Sequence, residues 1–240
     1  MENYFITGTS RGIGKSFCEQ ILSKENTKIF GYSRNSTVVN PNYKHFYTDL
    51  SNIEEVLKID FPDLENATKI VLINNSGILG DLAPVGGFSN ESIIEVFNIN
   101  TVAPSILMNN FIRKYKDNSC KKIIINISSG AGRNAGGSWS SYCASKSALD
   151  MFSLSIDVEQ KNIPEDKRFT VYSIAPGIVD TKMQDEIRDV PKEKFSNVDK
   201  FINYKNSNLL LSPNDVVSKI IDFIEKNVQN SQVLLDIRNM

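Results

Sequence analysis

The chain has 240 residues, and its 28 acidic and 27 basic side chains give a net charge of −1 at neutral pH. This length fits one domain with a large core, and the near-neutral charge gives no reason to expect a nucleic-acid or anionic-membrane partner. Every apolar run is well short of the ~20 residues of a membrane span. The N-terminus leads directly into a predicted strand, so we expect no signal peptide.

Cysteine and histidine are scarce. Cys18, Cys120 and Cys143 are scattered and odd in number, which argues against a disulfide framework or zinc site and suits a reducing cytoplasm. His45 is the only histidine, which nearly excludes histidine-based hydrolytic triads and histidine-rich metal sites. We therefore predict a cytoplasmic protein without a metal site, and an ordinary strand-edge role for His45.

Strand and helix patterns alternate along the chain. Short apolar runs predict strands at residues 4–7, 28–32, 45–48, 70–73, 122–127, 170–175 and 232–236. Helical patterns intervene at residues 13–23, 90–115, 139–161 and 213–228. Near-continuous apolar strands are typical of a parallel sheet that is covered on both faces. We predict one doubly wound α/β domain over residues 1–240, with a seven-stranded parallel sheet and helices on both faces.

A glycine-rich turn follows the first strand. It reads Thr-Gly-x-x-x-Gly-x-Gly over residues 7–14 and leads into the first helix. Glycines let the backbone approach a pyrophosphate, and a helix N-terminus offers free N–H groups. A Rossmann-type dinucleotide-binding fold begins in this way, although a plain strand-to-helix turn stays open. The predicted contacts are Gly8, Ser10, Arg11, Gly12, Ile13 and Gly14.

The same residues offer a second interpretation. Gly14-Lys15-Ser16 ends like the phosphate loop of a nucleotide hydrolase, but that loop needs a glycine at the position of Thr9. The later strand also ends in Asn74, which is not an acidic magnesium ligand. The hydrolase is therefore the less favoured alternative.

The tip of the second strand bears on the choice of dinucleotide. NAD enzymes need a carboxylate about 20 residues past the glycine turn, to accept from the ribose 2′-hydroxyl. Here Ser33 and Arg34 stand at the tip, and both can donate hydrogen bonds to a 2′-phosphate. Arg11 is a second cation on the same side. Two solvated surface arginines are the alternative.

Tyr142 and Lys146 lie one turn apart in a predicted helix. A free tyrosine titrates at about 10, and a neighbouring ammonium lowers this pKa because it favours the phenolate. The pair therefore predicts a proton donor or base. On its own the signal is weak, because most such pairs are a partly buried aromatic beside a solvated lysine.

Together these motifs resemble the short-chain dehydrogenase/reductase family over nearly the whole chain. The matching positions are the glycine turn, Asn-Asn-Ser-Gly at 74–77, Asn100, Ser128-Ser129, Tyr142-x-x-x-Lys146 and Pro176-Gly177. Ser76 replaces the usual alanine, a change that should be tolerated. Segments 127–132, 176–184 and 209–213 are most similar to the benzil reductase and sepiapterin reductase branch.

The resemblance implies reduction of a carbonyl by NADPH. Tyr142 would be the general acid, and Ser129, ahead of Ser128, would polarise the carbonyl oxygen. Lys146 would hold the nicotinamide ribose and lower the pKa of Tyr142. Asn100 would support a water relay to the lysine, with a helix kink or cap as the alternative.

Further cofactor contacts are implied at matching positions. Asp49 and Leu50 would touch adenine, although a helix-capping role for Asp49 or Ser51 is an equal alternative. The segment at 176–181 would wrap the nicotinamide, and Thr181 would reach its amide or the pyrophosphate. These contacts are Ser33, Arg34, Asp49, Leu50, Asn75, Gly77, Tyr142, Lys146, Pro176, Gly177, Val179 and Thr181.

The substrate side is less defined. Residues 182–211 are long, charged and sparsely patterned, and they form a candidate substrate lid, or else ordinary amphipathic helices. Trp139, Met183 and Ser129 are candidate substrate contacts, and Trp139 is either an aromatic wall or a core residue. Together with the branch resemblance, these features favour a bulky ketone or vicinal dicarbonyl.

Some alternatives stay open. Pterin reduction is disfavoured because Leu234 stands where sepiapterin reductases place an acid. Sugar or steroid carbonyls, or a non-catalytic NADPH-binding sensor on the same fold, are further alternatives. Relatives in the family are commonly dimers or tetramers, which implies a homodimer or homotetramer here.

Overall fold

Seven parallel strands form the centre of the protein, for which we describe a computed structural model covering residues 1–226 and 232–240. The strands are β1 (Glu2–Thr7), β2 (Thr27–Ser33), β3 (Tyr43–Tyr47), β4 (Lys69–Asn74), β5 (Lys121–Ile127), β6 (Phe169–Ala175) and β7 (Leu234–Asp236). They lie in the order β3-β2-β1-β4-β5-β6-β7. The predicted seven-stranded parallel sheet is therefore confirmed.

Helices cover both faces of this sheet. They are α1 (Gly12–Leu22), α2 (Ile53–Leu57), α3 (Asn90–Phe97), α4 (Ala103–Tyr115), α5 (Ser140–Gln160), α6 (Lys182–Arg188), α7 (Val198–Asn206) and α8 (Pro213–Glu225). One core packs α1 and α8 on the sheet, and a second core packs α4 and α5 on the opposite face. Strands buried on both faces need apolar side chains at successive positions, which explains their continuous apolar runs.

The chain reverses its direction of progress across the sheet between β1 and β4. In a doubly wound sheet, the crevice beyond the carboxyl ends of the strands at such a switch point binds ligands. β1 ends at Thr7 and β4 at Asn74, so the glycine turn and the Asn-Asn-Ser-Gly segment meet there. The topology therefore brings together motifs that are distant in sequence.

Outside residues 182–211, the observed helices differ from the predicted ones in three places. The predicted helix 90–115 is interrupted by a π-helical segment, Asn98–Val102, which contains Asn100. Helix α2 was not predicted, because five residues are too short for a clear apolar period. Helix α8 ends at Glu225, and positions 227–228 of the predicted helix lie outside the described residues.

Residues 182–211 contain α6 and α7 and pack against the α/β body. Their buried side chains join a third apolar cluster, which we call the tryptophan cluster. Its members are Leu79, Leu82, Trp139, Tyr142, Met183, Ile187, Val190, Phe195, Val198, Phe201 and Tyr204, with Ala131. Across the described part of the chain, no helix is long and apolar enough to cross a bilayer.

Candidate active site

The predicted catalytic residues converge at the carboxyl end of β5. Tyr142 and Lys146 lie on the first turns of α5, and Ser129 follows β5 directly. Asn100 comes from the π-helical segment. Chain topology brings together four positions that span almost fifty residues, because α5 and the π-helical segment both pack beside the end of this strand.

Asn100 is fully buried and connects two elements. Its side chain exchanges two hydrogen bonds with the backbone of Ile78, both at 2.9 Å. Its Nδ2 also donates to Ser145 Oγ, at 3.0 Å. Asn100 therefore fixes the loop after β4 against α5, in a helix that is locally widened rather than capped.

Lys146 is 3% exposed, and its Nζ donates to the carbonyl oxygen of Ile127 at 2.8 Å. Burial lowers the pKa of Lys146 to about 8, although the charge of Asp150 opposes this shift. Gly77 leaves room for the ammonium, because a Cβ there would lie 3.3 Å from both Lys146 Nζ and Asn100 Oδ1. The ammonium is thus held in a confined space at the crevice.

Tyr142 is 6% exposed and packs in the tryptophan cluster, with its ring centroid 6.0 Å from that of Trp139. Burial raises its pKa, and a hydrogen bond with the Ser129 side chain acts in the opposite direction. The sequence-based expectation was a lowered pKa. The difference arises because the Lys146 ammonium is directed at Ile127 and lies 6.0 Å from the tyrosine ring centroid. A raised pKa keeps the phenol protonated and able to donate.

The two neighbouring serines differ in their surroundings. Ser129 accepts a hydrogen bond from the Ala131 backbone N–H at 3.1 Å and bonds to Tyr142. Ser128 Oγ is buried and has no partner among the described residues. The structure therefore places Ser129, and not Ser128, beside the tyrosine.

Sequence reasoning missed a partly buried ion pair between Arg133 and Asp150. Arg133 Nε donates to Asp150 Oδ2 at 2.9 Å, and its other nitrogens donate to the carbonyls of Leu235 and Ser173. Ser173 Oγ also donates to Asp150 at 2.5 Å. This pair joins the loop after β5, α5, β6 and β7. The sequence offered no local signal for this pair, because its two residues are 17 positions apart and lie on different elements.

The glycine turn forms a close-packed cradle. A Cβ on Gly14 would lie 2.1 Å from the carbonyl oxygen of Gly8, so only glycine fits at position 14. The backbone of Gly8 itself has a φ of +71°. Asn75 Nδ2 donates to the carbonyls of Thr7 and Gly8 at 3.0 and 3.3 Å, and thereby joins β4 to β1. No described side chain caps the N-terminus of α1. These features fit a pyrophosphate, because they leave backbone N–H groups at a positive helix end.

The loop after β6 reaches the same cradle. Gly177 has a φ of +76°, and Val179 forms a β-bridge with Leu211. Thr181 borders the glycine turn, because a Cβ on Gly12 would lie 3.4 Å from its methyl group. The predicted contacts at 176–181 therefore lie beside those of the turn.

At the tip of β2, Arg34 is exposed, whereas Ser33 is buried and donates to the carbonyl of Asn35 at 2.8 Å. The pKa of the Asp49 carboxyl is lowered. Burial acts to raise this pKa, but hydrogen bonds from Ser51 and the charge of Arg34 outweigh the effect of burial. Asn52, rather than Asp49 or Ser51, caps α2. Leu50 is buried.

A cavity of about 520 Å³ lies between the loop after β4 and α6. It is lined by apolar members of the tryptophan cluster and by the charged side chains Asp81, Glu186, Asp189 and Lys194. The predicted catalytic side chains do not line it. Trp139 lies 5.4 and 5.7 Å from Phe195 and Phe201, measured between ring centroids, so the tryptophan beside Tyr142 also packs against two rings of residues 182–211.

The fold and site together define a dinucleotide-binding α/β oxidoreductase. A family profile described as short chain dehydrogenase matches residues 2–192. The chain therefore belongs to the short-chain dehydrogenase family, and the predicted family resemblance is confirmed.

Curated relatives extend over nearly the whole chain. The protein is 34% identical over 239 residues to a benzil reductase ((S)-benzoin forming) of Bacillus cereus, with 94% of each chain covered. It is 31% identical to the benzil reductase of Bacillus subtilis, with 97% of each chain covered. An L-xylulose reductase of Caenorhabditis elegans is 32% identical, covering 82% of this chain and 84% of its own.

Solved structures show the same fold. The KRED1-Pglu enzyme superposes with a TM-score of 0.81 at 21% identity, covering 98% of this chain and 100% of that chain. A 4-hydroxyisoleucine dehydrogenase complexed with NADH has a TM-score of 0.79 at 25% identity, covering 98% and 96%.

Proposed function

We propose that the protein is an NADPH-dependent carbonyl reductase that acts on a bulky ketone or a vicinal dicarbonyl. The observation that carries this proposal is the convergence of Tyr142, Ser129 and the buried Lys146 ammonium at the carboxyl end of β5. Similarity to two benzil reductases, at 34% and 31% identity, supports the dicarbonyl class.

The chemistry follows from these side chains. NADPH supplies a hydride when bound. Negative charge grows on the substrate oxygen during reduction, so hydrogen-bond donors must already be aimed at that oxygen. Tyr142 donates its phenolic proton there, and the hydroxyl of Ser129 donates a second hydrogen bond. Lys146 holds the nicotinamide ribose hydroxyls, and Asn100 supports a water relay that returns a proton.

The remaining cofactor roles are proposed from the family resemblance, and the packing of these segments at the crevice supports them. The turn at residues 8–14, with Asn75 and Thr181, holds the pyrophosphate. Gly77 and residues 176–179 line the nicotinamide, and Asp49 and Leu50 adjoin the adenine. Arg11, Ser33 and Arg34 hold the 2′-phosphate, because all three can donate to it and Arg34 is exposed at the strand tip.

Replacing Arg34 by alanine is expected to raise the KM for NADPH about 10-fold or more, with little change for NADH, because a charge-assisted hydrogen bond is lost. Steady-state kinetics with both cofactors measures this. Lys44→Ala is the matched control, because it removes one exposed positive charge from the neighbouring strand. Equal effects on NADPH and NADH would remove the phosphate role, an outcome that the NADH-bound relative makes worth testing.

The substrate is tested by following NADPH absorbance with aromatic diketones, quinones and simple aliphatic ketones. We expect turnover with a preference for aromatic dicarbonyls, because Trp139 and Met183 offer an apolar wall beside Tyr142. In this proposal residues 182–211 act as a substrate lid, because Phe195 and Phe201 pack against Trp139, which lies beside Tyr142. Binding of NADPH without turnover of any carbonyl would favour a sensor, and binding of ATP instead would favour the hydrolase.

The same proposal includes a cytoplasmic homodimer or homotetramer. Helix α5 exposes Met151 and Val158, each at 62%, together with part of Phe152. Exposed apolar groups on one helix are typical of an interface between subunits. Analytical ultracentrifugation should therefore give a species of at least twice the 26.9 kDa chain mass, and a purely monomeric protein would contradict this.

A further inference from the structure

A chain of hydrogen-bonded side chains connects the edge strand β3 to the tip of β2. His45 Nδ1 lies 2.9 Å from the hydroxyl of Tyr43, which lies 2.7 Å from Thr9 Oγ1. Thr9 Oγ1 in turn lies 3.1 Å from Ser33 Oγ. Ser33 then donates to the carbonyl oxygen of Asn35 at 2.8 Å. We call His45, Tyr43, Thr9 and Ser33 the hydroxyl chain.

The direction of every hydrogen bond in the hydroxyl chain follows from its last acceptor. The carbonyl of Asn35 can only accept, so Ser33 uses its one hydrogen there and must accept from Thr9. Thr9 therefore accepts from Tyr43, and Tyr43 accepts from His45 Nδ1. All the hydroxyl hydrogens point the same way, from the histidine towards the strand tip.

His45 is suited to begin this chain. Burial lowers its pKa, although a backbone hydrogen bond at Ser33 opposes the shift, so the imidazole is neutral at pH 7. A neutral imidazole carries one proton, which the direction of the chain assigns to Nδ1. Nε2 is then the acceptor nitrogen, and it is buried without a partner among the described residues.

The surrounding backbone makes room for this arrangement. A Cβ on Gly31 would lie 2.2 Å from the Tyr43 hydroxyl, so a glycine at this position allows the hydroxyl to reach Thr9. Thr9 is fully buried, and it belongs to the glycine turn. The hydroxyl chain therefore links three segments, and its last member is the one beside the exposed Arg34.

We propose that the hydroxyl chain holds Ser33 as an outward hydrogen-bond donor for the adenosine 2′-phosphate, with Tyr43 and Thr9 as positioning residues for cofactor specificity. Because Thr9 donates to Ser33, the serine hydrogen must find an acceptor other than Thr9, which in the structure is the Asn35 carbonyl. A 2′-phosphate oxygen can replace the Asn35 carbonyl as the acceptor and gives a stronger, charge-assisted bond. This inference rests on the proposed use of NADPH.

The test compares adenosine 2′,5′-bisphosphate with AMP, which lacks the 2′-phosphate, by isothermal titration calorimetry. Tyr43→Phe is expected to raise the Kd for the bisphosphate about 3- to 10-fold, the weight of one net hydrogen bond, and to leave AMP unchanged. Tyr47→Phe is the matched control, because Tyr47 is on the same strand and 76% exposed. Thr9→Val should repeat the Tyr43→Phe result, whereas Thr9→Ser retains the hydroxyl and should restore binding.

The outcomes separate the two proposals. The hydroxyl-chain proposal is overturned if Tyr43→Phe and Thr9→Val bind the bisphosphate and AMP with equally weakened affinity, or if neither variant weakens binding. In that case a wild-type protein that binds the bisphosphate more tightly than AMP still supports the use of NADPH. Wild-type protein that binds the bisphosphate no more tightly than AMP overturns the NADPH proposal, and the hydroxyl-chain proposal with it. If Tyr43→Phe does not fold, the Thr9→Val and Thr9→Ser pair decides alone.

Discussion

Replacement of Tyr142 by phenylalanine is expected to lower kcat by about 10²- to 10⁴-fold, the usual weight of a positioned general acid. The phenol is hydrogen-bonded to Ser129, and burial raises its pKa and so keeps it protonated. Phenylalanine retains the packing in the tryptophan cluster and removes only the hydroxyl. Steady-state rates with an aromatic diketone and NADPH measure the loss, and fluorescence titration should show that NADPH still binds.

Tyr204→Phe is the matched control for this variant. Tyr204 belongs to the same tryptophan cluster, with its ring 5.8 Å from that of Phe201, so the substitution removes a hydroxyl from the same surroundings. We expect its kcat to stay close to that of the wild-type protein. Tyr142→Phe with full activity would refute the assignment of the acid, and loss of NADPH binding would show that the effect is not catalytic.

Lys146→Met is expected to remove a pH-dependent contribution to stability. Burial lowers the pKa of Lys146 from 10.5 to about 8 in the folded protein. Between these two values the unfolded chain binds more protons than the folded protein, so this lysine makes wild-type stability rise with pH. From about pH 7 to about pH 9.5 the rise amounts to about 2 kcal/mol. Methionine does not titrate, so the Lys146→Met variant lacks this rise in stability with pH.

The measurement is urea unfolding of both proteins at the two pH values, compared as a difference so that other titrating groups cancel. The stability of Lys146→Met relative to wild type should fall by about 2 kcal/mol as the pH rises. Lys161→Met is the control, because Lys161 directly follows the same helix and is exposed. A relative stability that does not change with pH would show that the Lys146 ammonium is not destabilised by burial.

Lys146→Met should also lose catalytic activity, because a thioether cannot donate hydrogen bonds to the ribose hydroxyls. Removal of the buried ammonium should stabilise the fold at neutral pH. Part of this gain is offset because the Ile127 carbonyl loses its hydrogen-bond donor, Lys146 Nζ, which lies at 2.8 Å in the wild-type protein. A variant that is inactive yet no less stable is the pattern expected of a residue that serves function at the expense of stability.

Much of the fold and the positions of the site residues could be predicted from local pattern. Continuous apolar runs predicted the strands that the sheet contains, because strands buried on both faces need such runs. The glycine turn and the Tyr142-to-Lys146 spacing predicted where chemistry would lie. Helix α2 and the π-helical segment were not predicted, because each spans only five residues, which is too few to show a periodic pattern of apolar side chains.

The sequence by itself determined the order of the strands and of the longer helices, the family, and the residue types at the crevice, because each of these depends on short stretches of the chain. Only the tertiary structure decided the pairing of Arg133 with Asp150, the hydroxyl chain from His45 to Ser33, and the raised pKa of Tyr142. The physical reason is that these depend on burial and on hydrogen bonds between distant segments. Such contacts exist only once the strand order has brought β3 beside β2 and α5 beside β5.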